Sequence, residues 1–106
     1  MKKEVTGETL TVNVTLRHSS NNSTIEEYAR AAVGKLAEMY PEMTSSHVIL
    51  DHQKNDYEKN KIAEITVHVP QHDFVAKDAG LAYEACIDAC VAALGRQLQK
   101  HKEKMH

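Results

Sequence analysis

The sequence of 106 residues contains no tryptophan, one phenylalanine, two prolines and two cysteines. Two cysteines are too few for a disulfide-stapled scaffold, and no apolar run approaches the roughly 20 residues that a membrane-spanning helix needs. The lysines near the amino terminus precede no apolar segment of the kind found in secretory signals. We therefore expect a cytoplasmic protein without a membrane partner, folded as one small domain, because 106 residues are too few for two.

The overall composition is that of an ordinary globular protein, with 42% hydrophobic and 26% charged residues. Thirteen Lys and Arg against 15 Asp and Glu give a formal net charge of −2. A negative total argues against a nucleic-acid-binding domain, because such domains are usually basic. Four tyrosines and one phenylalanine also argue against recognition of single strands by base stacking.

Hydrophobic periodicity predicts six elements in the order β-α-β-β-β-α. Apolar and polar residues alternate strictly over positions 9–17, which is typical of a half-buried strand. Ser23 and Glu26 form a capping-box pattern that begins a helix, and Pro41 ends it. The predicted strands cover residues 9–17, 46–52, 61–69 and 74–77, and the predicted helices cover residues 23–40 and 80–102.

Each predicted strand has one apolar face and each predicted helix has one apolar stripe, so we expect an α+β fold. Both helices would pack on one face of a four-stranded sheet and leave the other face in water. Residues 1–8 are expected to form a flexible extension, and residues 9–106 a single domain with a projecting basic helix end. The predicted stripes are Ile25, Tyr28, Ala29, Ala32, Leu36 and Tyr40 in the first helix, and Tyr83, Cys86, Ile87, Cys90, Val91, Leu94 and Leu98 in the second.

The sequence carries no nucleophile elbow, phosphate loop or dinucleotide fingerprint, so we expect neither catalytic residues nor a cofactor. Seven histidines are scattered along the chain without a converging partner set. We expect two on the polar sheet face, two near hairpin ends and two in the tail, which are His47 and His68, His52 and His72, and His101 and His106. Cys86 and Cys90 share one helix face and read as core side chains. The alternative, a small enzyme or zinc protein that uses both cysteines and histidines, stays open, although no ligand spacing supports a metal site.

The distribution of charge is more informative than its sum. Residues 96–106 carry four cations against Glu103, a net of +3, so the preceding 95 residues carry nine cations against 14 carboxylates, a net of −5. One interpretation is a solubilising helix end, since cations suit the negative end of the helix dipole. The other is a phosphate-contacting surface that displaces counterions from a nucleic acid. The cations of this end are Arg96, Lys100, Lys102 and Lys104, and Arg17, Arg30, Lys35 and Lys77 could widen it.

Four segments resemble the ribosome hibernation promoting factor family, also called ribosome-associated inhibitors or sigma factor modulation proteins. Residues 85–104, ACIDACVAALGRQLQKHKEK, are similar to the closing helix of that family. The other three segments follow the family's order from Val12 to the carboxyl terminus. They are VNVTLRHSSNNSTIEEY at 12–28, HVIL at 47–50 and AEITVHVP at 63–70.

The resemblance implies a double-stranded-RNA-binding-like fold that binds the small ribosomal subunit and its ribosomal RNA. Such a protein blocks the messenger and tRNA positions of idle ribosomes in stationary phase or stress, and it catalyses no reaction. The chain resembles the short form of the family, without the domain that pairs two ribosomes. We expect a monomer off the ribosome and no binding to DNA.

The resemblance also assigns RNA-binding residues. Arg96, Lys100 and Lys102 match the family's basic helix face, Arg17 and His18 its Arg-His turn, and Lys35 the lysine of its first helix. Arg30, Lys77 and Lys104 are predicted from charge and placement. The chain departs from the family at Leu16, where glycine is usual. The alternative function is a protein-interaction module whose basic helix end docks on an acidic partner.

Overall fold

The computed structural model describes residues 10–17, 23–54 and 57–104. It confirms the predicted element order. The elements are β1 (Thr11–Leu16), α1 (Ser23–Met39), β2 (Ser45–His52), β3 (Lys61–Val69), β4 (His72–Gly80) and α2 (Tyr83–Lys104).

The four strands form one mixed sheet in the order β1-β2-β3-β4. β1 pairs with β2 in parallel, whereas β2–β3 and β3–β4 are antiparallel. As a result β1, β2 and β4 run in one direction. α2 runs antiparallel to β4. Its first residue, Tyr83, donates a hydrogen bond to the carbonyl of Asp51 at the end of β2, whereas the Gln97 amide donates to the carbonyl of Val75 near the start of β4.

Both helices lie on one face of the sheet and bury its apolar side chains, which confirms the predicted α+β fold. The opposite face carries the alternate residues of each strand, among them Thr15, His47, Glu64 and Lys77. No helix in the described ranges is long and apolar enough to cross a membrane. The buried sheet residues include Val48, Leu50, Ala63, Ile65, Val67, Val69, Phe74 and Ala76.

The helix stripes were predicted well with one error. Ile25, Ala29 and Leu36 are buried, but Tyr28 is 37% exposed and Val33 occupies the core instead. The hydroxyl of Tyr28 on α1 donates to the carboxylate oxygens of Asp88 on α2 at 2.7 and 2.9 Å. A polar end that finds a partner on the neighbouring helix explains why this tyrosine stays at the surface.

The fourth strand is longer than predicted. β4 pairs with β3 from Val69–His72 to Lys61–Gly80, so it covers nine residues rather than 74–77. The turn before it is correspondingly short, with only Pro70 and Gln71 between paired residues. Because Gly80 belongs to the strand, α2 begins at Tyr83 rather than at residue 80.

Side chains from the helices donate hydrogen bonds to backbone carbonyls of both edge strands of the sheet. The Arg30 guanidinium donates to the carbonyl of Val12 in β1 at 2.6 Å, and the Gln97 amide donates to the carbonyl of Val75 in β4 at 3.3 Å. Edge carbonyls that lack a strand partner invite pairing with another chain, and these two contacts reduce that hazard.

Candidate nucleic-acid interface

The last turns of α2 present the predicted basic residues to solvent. Leu94 and Leu98 are fully buried and hold this part of the helix on the sheet. Opposite them, Arg96 and Lys100 are exposed and one helical turn apart. Cations at a helix carboxyl terminus also lie in the favourable field of the helix dipole, which stabilises the helix and concentrates positive charge there.

The helix divides its lysines between two grooves. Lys100 and Lys104 line a groove of about 400 Å³ beside the start of β4. Lys102 lines a second groove of about 360 Å³ beside Met39 and Tyr40 at the end of α1. The division follows from helical geometry, because residues two apart point in nearly opposite directions.

Three rings lie together in the groove beside β4. The ring centroid of His72 lies 4.4 Å from that of Phe74 and 5.4 Å from that of His101, and the two histidine rings are stacked with an interplanar angle of 28°. Phe74 and His101 meet edge to face at 5.4 Å. The basic end of α2 is therefore also ring-lined.

The structure does not bring all predicted RNA-binding residues together. Arg17 follows the end of β1, and α2 ends beside the start of β4. Since β1 and β4 run in the same direction, Arg17 and the lysines of α2 lie at opposite ends of the sheet. His18 lies outside the described residues.

The other predicted cations do not line the groove that holds Lys100 and Lys104. Lys77 lies on the open face of the sheet, directly across from Glu64 on β3. Lys35 is exposed on α1, and the Arg30 guanidinium binds the Val12 carbonyl. The cluster in the structure is therefore Arg96, Lys100 and Lys104 with Lys102 on the far flank.

The two cysteines are core residues. Cys86 and Cys90 are buried, and their thiols lie 3.5 and 3.4 Å from the carbonyl oxygens of Lys61 and Ala63. Burial raises the pKa of both thiols, that of Cys90 to about 12. Only a thiolate is a good nucleophile or metal ligand, so both groups are held in the unreactive form. No group of three potential metal ligands occurs within the described part of the chain.

Two further histidines bind neighbours on the open face of the sheet. His68 Nδ1 lies 2.6 Å from a carboxylate oxygen of Asp73 on the adjacent strand. His47 Nε2 lies 2.9 Å from the hydroxyl of Thr15. Both residues were predicted on this polar face, and the structure confirms their placement.

The sequence does not predict the cluster of His72, Phe74 and His101. From the sequence, His72 is expected near a hairpin end and His101 in the tail, 29 positions further along the chain. Only the packing of α2 against the longer β4 brings them together. No local pattern signals that contact, because it depends on the crossing of two elements rather than on the periodicity of either.

These features define a small α+β domain whose distinctive surface is a basic, ring-lined helix end. Residues 12–106 match the family model described as Sigma 54 modulation protein / S30EA ribosomal protein. The match covers most of the chain, and the chain belongs to this family, as the resemblance in its sequence predicted.

Curated relatives carry the name ribosome hibernation promoting factor, which describes no enzymatic activity. The chain is 27% identical to the one from Escherichia coli strain K12 over 94 residues, covering 89% of this chain and 95% of the relative. It is 28% identical to the one from Pseudomonas putida strain KT2440 over 93 residues, covering 88% and 87%.

Solved structures show the same fold. A ribosomal subunit interface protein from Coxiella burnetii superposes with a TM-score of 0.76 at 18% identity, covering 88% of this chain and 98% of that one. The amino-terminal domain of Protein Y from Thermus thermophilus superposes with a TM-score of 0.67 at 20% identity, covering 87% and 94%. At these identities the likeness establishes the architecture.

Proposed function

We propose that this protein is a ribosome hibernation factor of the cytoplasm that binds the small ribosomal subunit through ribosomal RNA. It would block the messenger and tRNA positions of idle ribosomes in stationary phase or stress, without catalysing a reaction. The observation that carries the proposal is the exposed cluster Arg96, Lys100, Lys102 and Lys104 on a protein that is otherwise acidic. The names of the relatives also refer to the ribosome.

The physical argument rests on where the positive charge lies. The remaining body carries a net charge of −5, so it would be repelled by the phosphate backbone of RNA. The strongest attraction is therefore expected at the end of α2, where the lysines and Arg96 project into solvent. A compact wedge of this kind needs shape and phosphate contacts and no catalytic group.

The direct test is cosedimentation with purified small ribosomal subunits. We expect the Arg96→Glu/Lys100→Glu variant to lose cosedimentation, because both positions reverse charge at the centre of the cluster. Neither side chain contributes to the core, so the circular dichroism spectrum and the thermal midpoint should stay close to those of the parent. The matched control is Lys54→Glu/Lys59→Glu, which makes the same charge change beside the β2–β3 hairpin and should still cosediment.

Two outcomes would contradict the proposal. Unchanged cosedimentation of the Arg96→Glu/Lys100→Glu variant would remove the end of α2 from the interface. A partner that is retained after nuclease digestion and lost in the same variant would favour the alternative, a protein-interaction module that docks on an acidic partner. Sucrose-gradient profiles of growing and starved cells should show the protein on idle ribosomes after starvation.

A further inference from the structure

The groove between the start of β4 and the last turns of α2 combines a cluster of three rings with two lysines. It has about 400 Å³ of space, within the range of sites for small molecules. One side is formed by the rings of His72, Phe74 and His101, and the other carries Lys100 and Lys104.

The rings form a fixed platform. Phe74 is only 8% exposed and belongs to the core, so it anchors the two histidines that pack against it. His72 is exposed at the start of β4, and His101 is half-buried one helical turn after Leu98. A planar group entering the groove would therefore meet an imidazole ring that is already held in place by a second ring.

The charge of the groove is positive. Lys100 and Lys104 are one helical turn apart, and no described residue forms an ion pair with either of them. The carboxylate in the lining belongs to Asp73, and one of its oxygens is bound to His68 Nδ1 at 2.6 Å. The two ammonium groups are thus available to an anion placed beside the rings.

We propose that this groove binds a single unpaired nucleotide of RNA, with its base on the ring of His72 and its phosphate between Lys100 and Lys104. A ring next to a pair of cations matches the two halves of a nucleotide. Unpaired bases stack on histidine as well as on aromatic side chains, so the low content of tyrosine and phenylalanine does not exclude stacking in this groove. A base inside a duplex cannot present its face to such a platform. The inference deepens the proposed function, on which it rests for the source of the RNA.

The test compares single-stranded and duplex RNA. We expect His72→Ala to weaken the binding of a fluorescent single strand of about ten nucleotides by roughly tenfold in an anisotropy titration. Binding of a duplex of the same sequence should not change, because the lysines remain. His72→Tyr keeps a ring and should restore the affinity, and His52→Ala, the same change at the other end of the sheet, should have no effect.

Other results would overturn the inference. An unchanged affinity of His72→Ala for the single strand, or an equal loss for single strand and duplex, would mean that no base contacts the ring. Failure of His72→Tyr to restore binding would exclude stacking. Displacement of the labelled strand by AMP at equal concentration would make a free nucleotide, rather than RNA, the ligand.

The two proposals fail separately. If the parent protein cosediments with small subunits but the His72 variants bind the single strand as tightly as the parent does, the groove does not hold a base and the proposed function stands. If the parent binds the single strand through His72 but does not cosediment with small subunits, the groove is confirmed and the ribosomal target is wrong.

Discussion

Gln71 has a backbone φ of 70°, a region that side chains other than glycine rarely adopt. It follows Pro70 in the two-residue turn between β3 and β4, and a positive φ at this position is the requirement of a type II turn. We expect Gln71→Gly to raise the free energy of unfolding by about 1 kcal/mol, since glycine adopts this φ without strain. Urea denaturation measures the change.

The control for that change is Gln71→Ala, which keeps the unfavourable Cβ and should leave the stability close to that of the parent. Equal stabilities of the glycine and alanine variants would show that the turn carries no strain. Binding of RNA need not follow stability here, because the turn lies beside His72 and the glycine variant could loosen it.

The buried thiol of Cys90 should make the free energy of unfolding depend on pH in the alkaline range. Burial raises the pKa of Cys90 to about 12 from an ordinary value of 9.0. The unfolded chain therefore releases this proton near pH 9, while the folded protein retains it, so stability is full below pH 9 and falls as the pH rises towards 12. The slope from one thiol approaches about 1.4 kcal/mol per pH unit.

Urea denaturation of the reduced protein at a series of pH values from neutral to alkaline tests this point. Cys90→Ala should be less stable at neutral pH, because it loses buried side-chain volume, but its stability should fall less steeply with rising pH. The other alkaline groups, namely Cys86, the tyrosines and the lysines, are present in both proteins. Parallel pH profiles of the two proteins would contradict the prediction.

At the scale of elements, the regular patterns were readable from the sequence. β3 and both helix stripes followed from strict periodicity of two or of three and four. The extension of β4 was not readable, because Asp78 and Gly80 have low strand propensity and pair only because β3 offers partners of equal length. The same holds for the contact of His72 with His101, which depends on how α2 crosses the sheet.

Gly34 lies inside α1 and makes the helix less stable than alanine would at that position. A Cβ added there would meet no atom within 4 Å, so nothing opposes alanine. We expect Gly34→Ala to raise the free energy of unfolding by about 1 kcal/mol, because glycine gains more backbone freedom on unfolding. Thermal unfolding should show a midpoint higher by roughly 4–8 °C for a domain of this size.

Ala31→Gly is the matched reverse change, made at an exposed position of the same helix. It should lower stability by a similar amount, and the double variant should return close to the parent. A stabilising effect of Gly34→Ala that Ala31→Gly does not mirror would point to packing rather than to helix propensity.

At the scale of the whole molecule, the net charge of −2 averages an acidic body and a basic helix end. The position of the basic helix end was predictable, because its cations and the apolar stripe of the helix lie in the same segment of the sequence. The division of the cations between two grooves could not be predicted, because it depends on which elements pack on either side of α2. The assignments of Arg17, His18, Arg30, Lys35 and Lys77 to RNA stay predictions.

This charge distribution predicts how binding to small ribosomal subunits responds to salt. Each phosphate contact adds about 0.7–0.9 to the magnitude of the slope of log affinity against log salt concentration. Arg96→Gln/Lys100→Gln should therefore reduce the slope by between one and two contacts' worth, because these side chains no longer displace counterions. Lys54→Gln/Lys59→Gln removes the same charge from the far end and should leave the slope unchanged. Equal slopes for both double variants would mean that the protein responds to its net charge alone, whereas a difference would show that the end of α2 provides the attraction that the acidic body opposes.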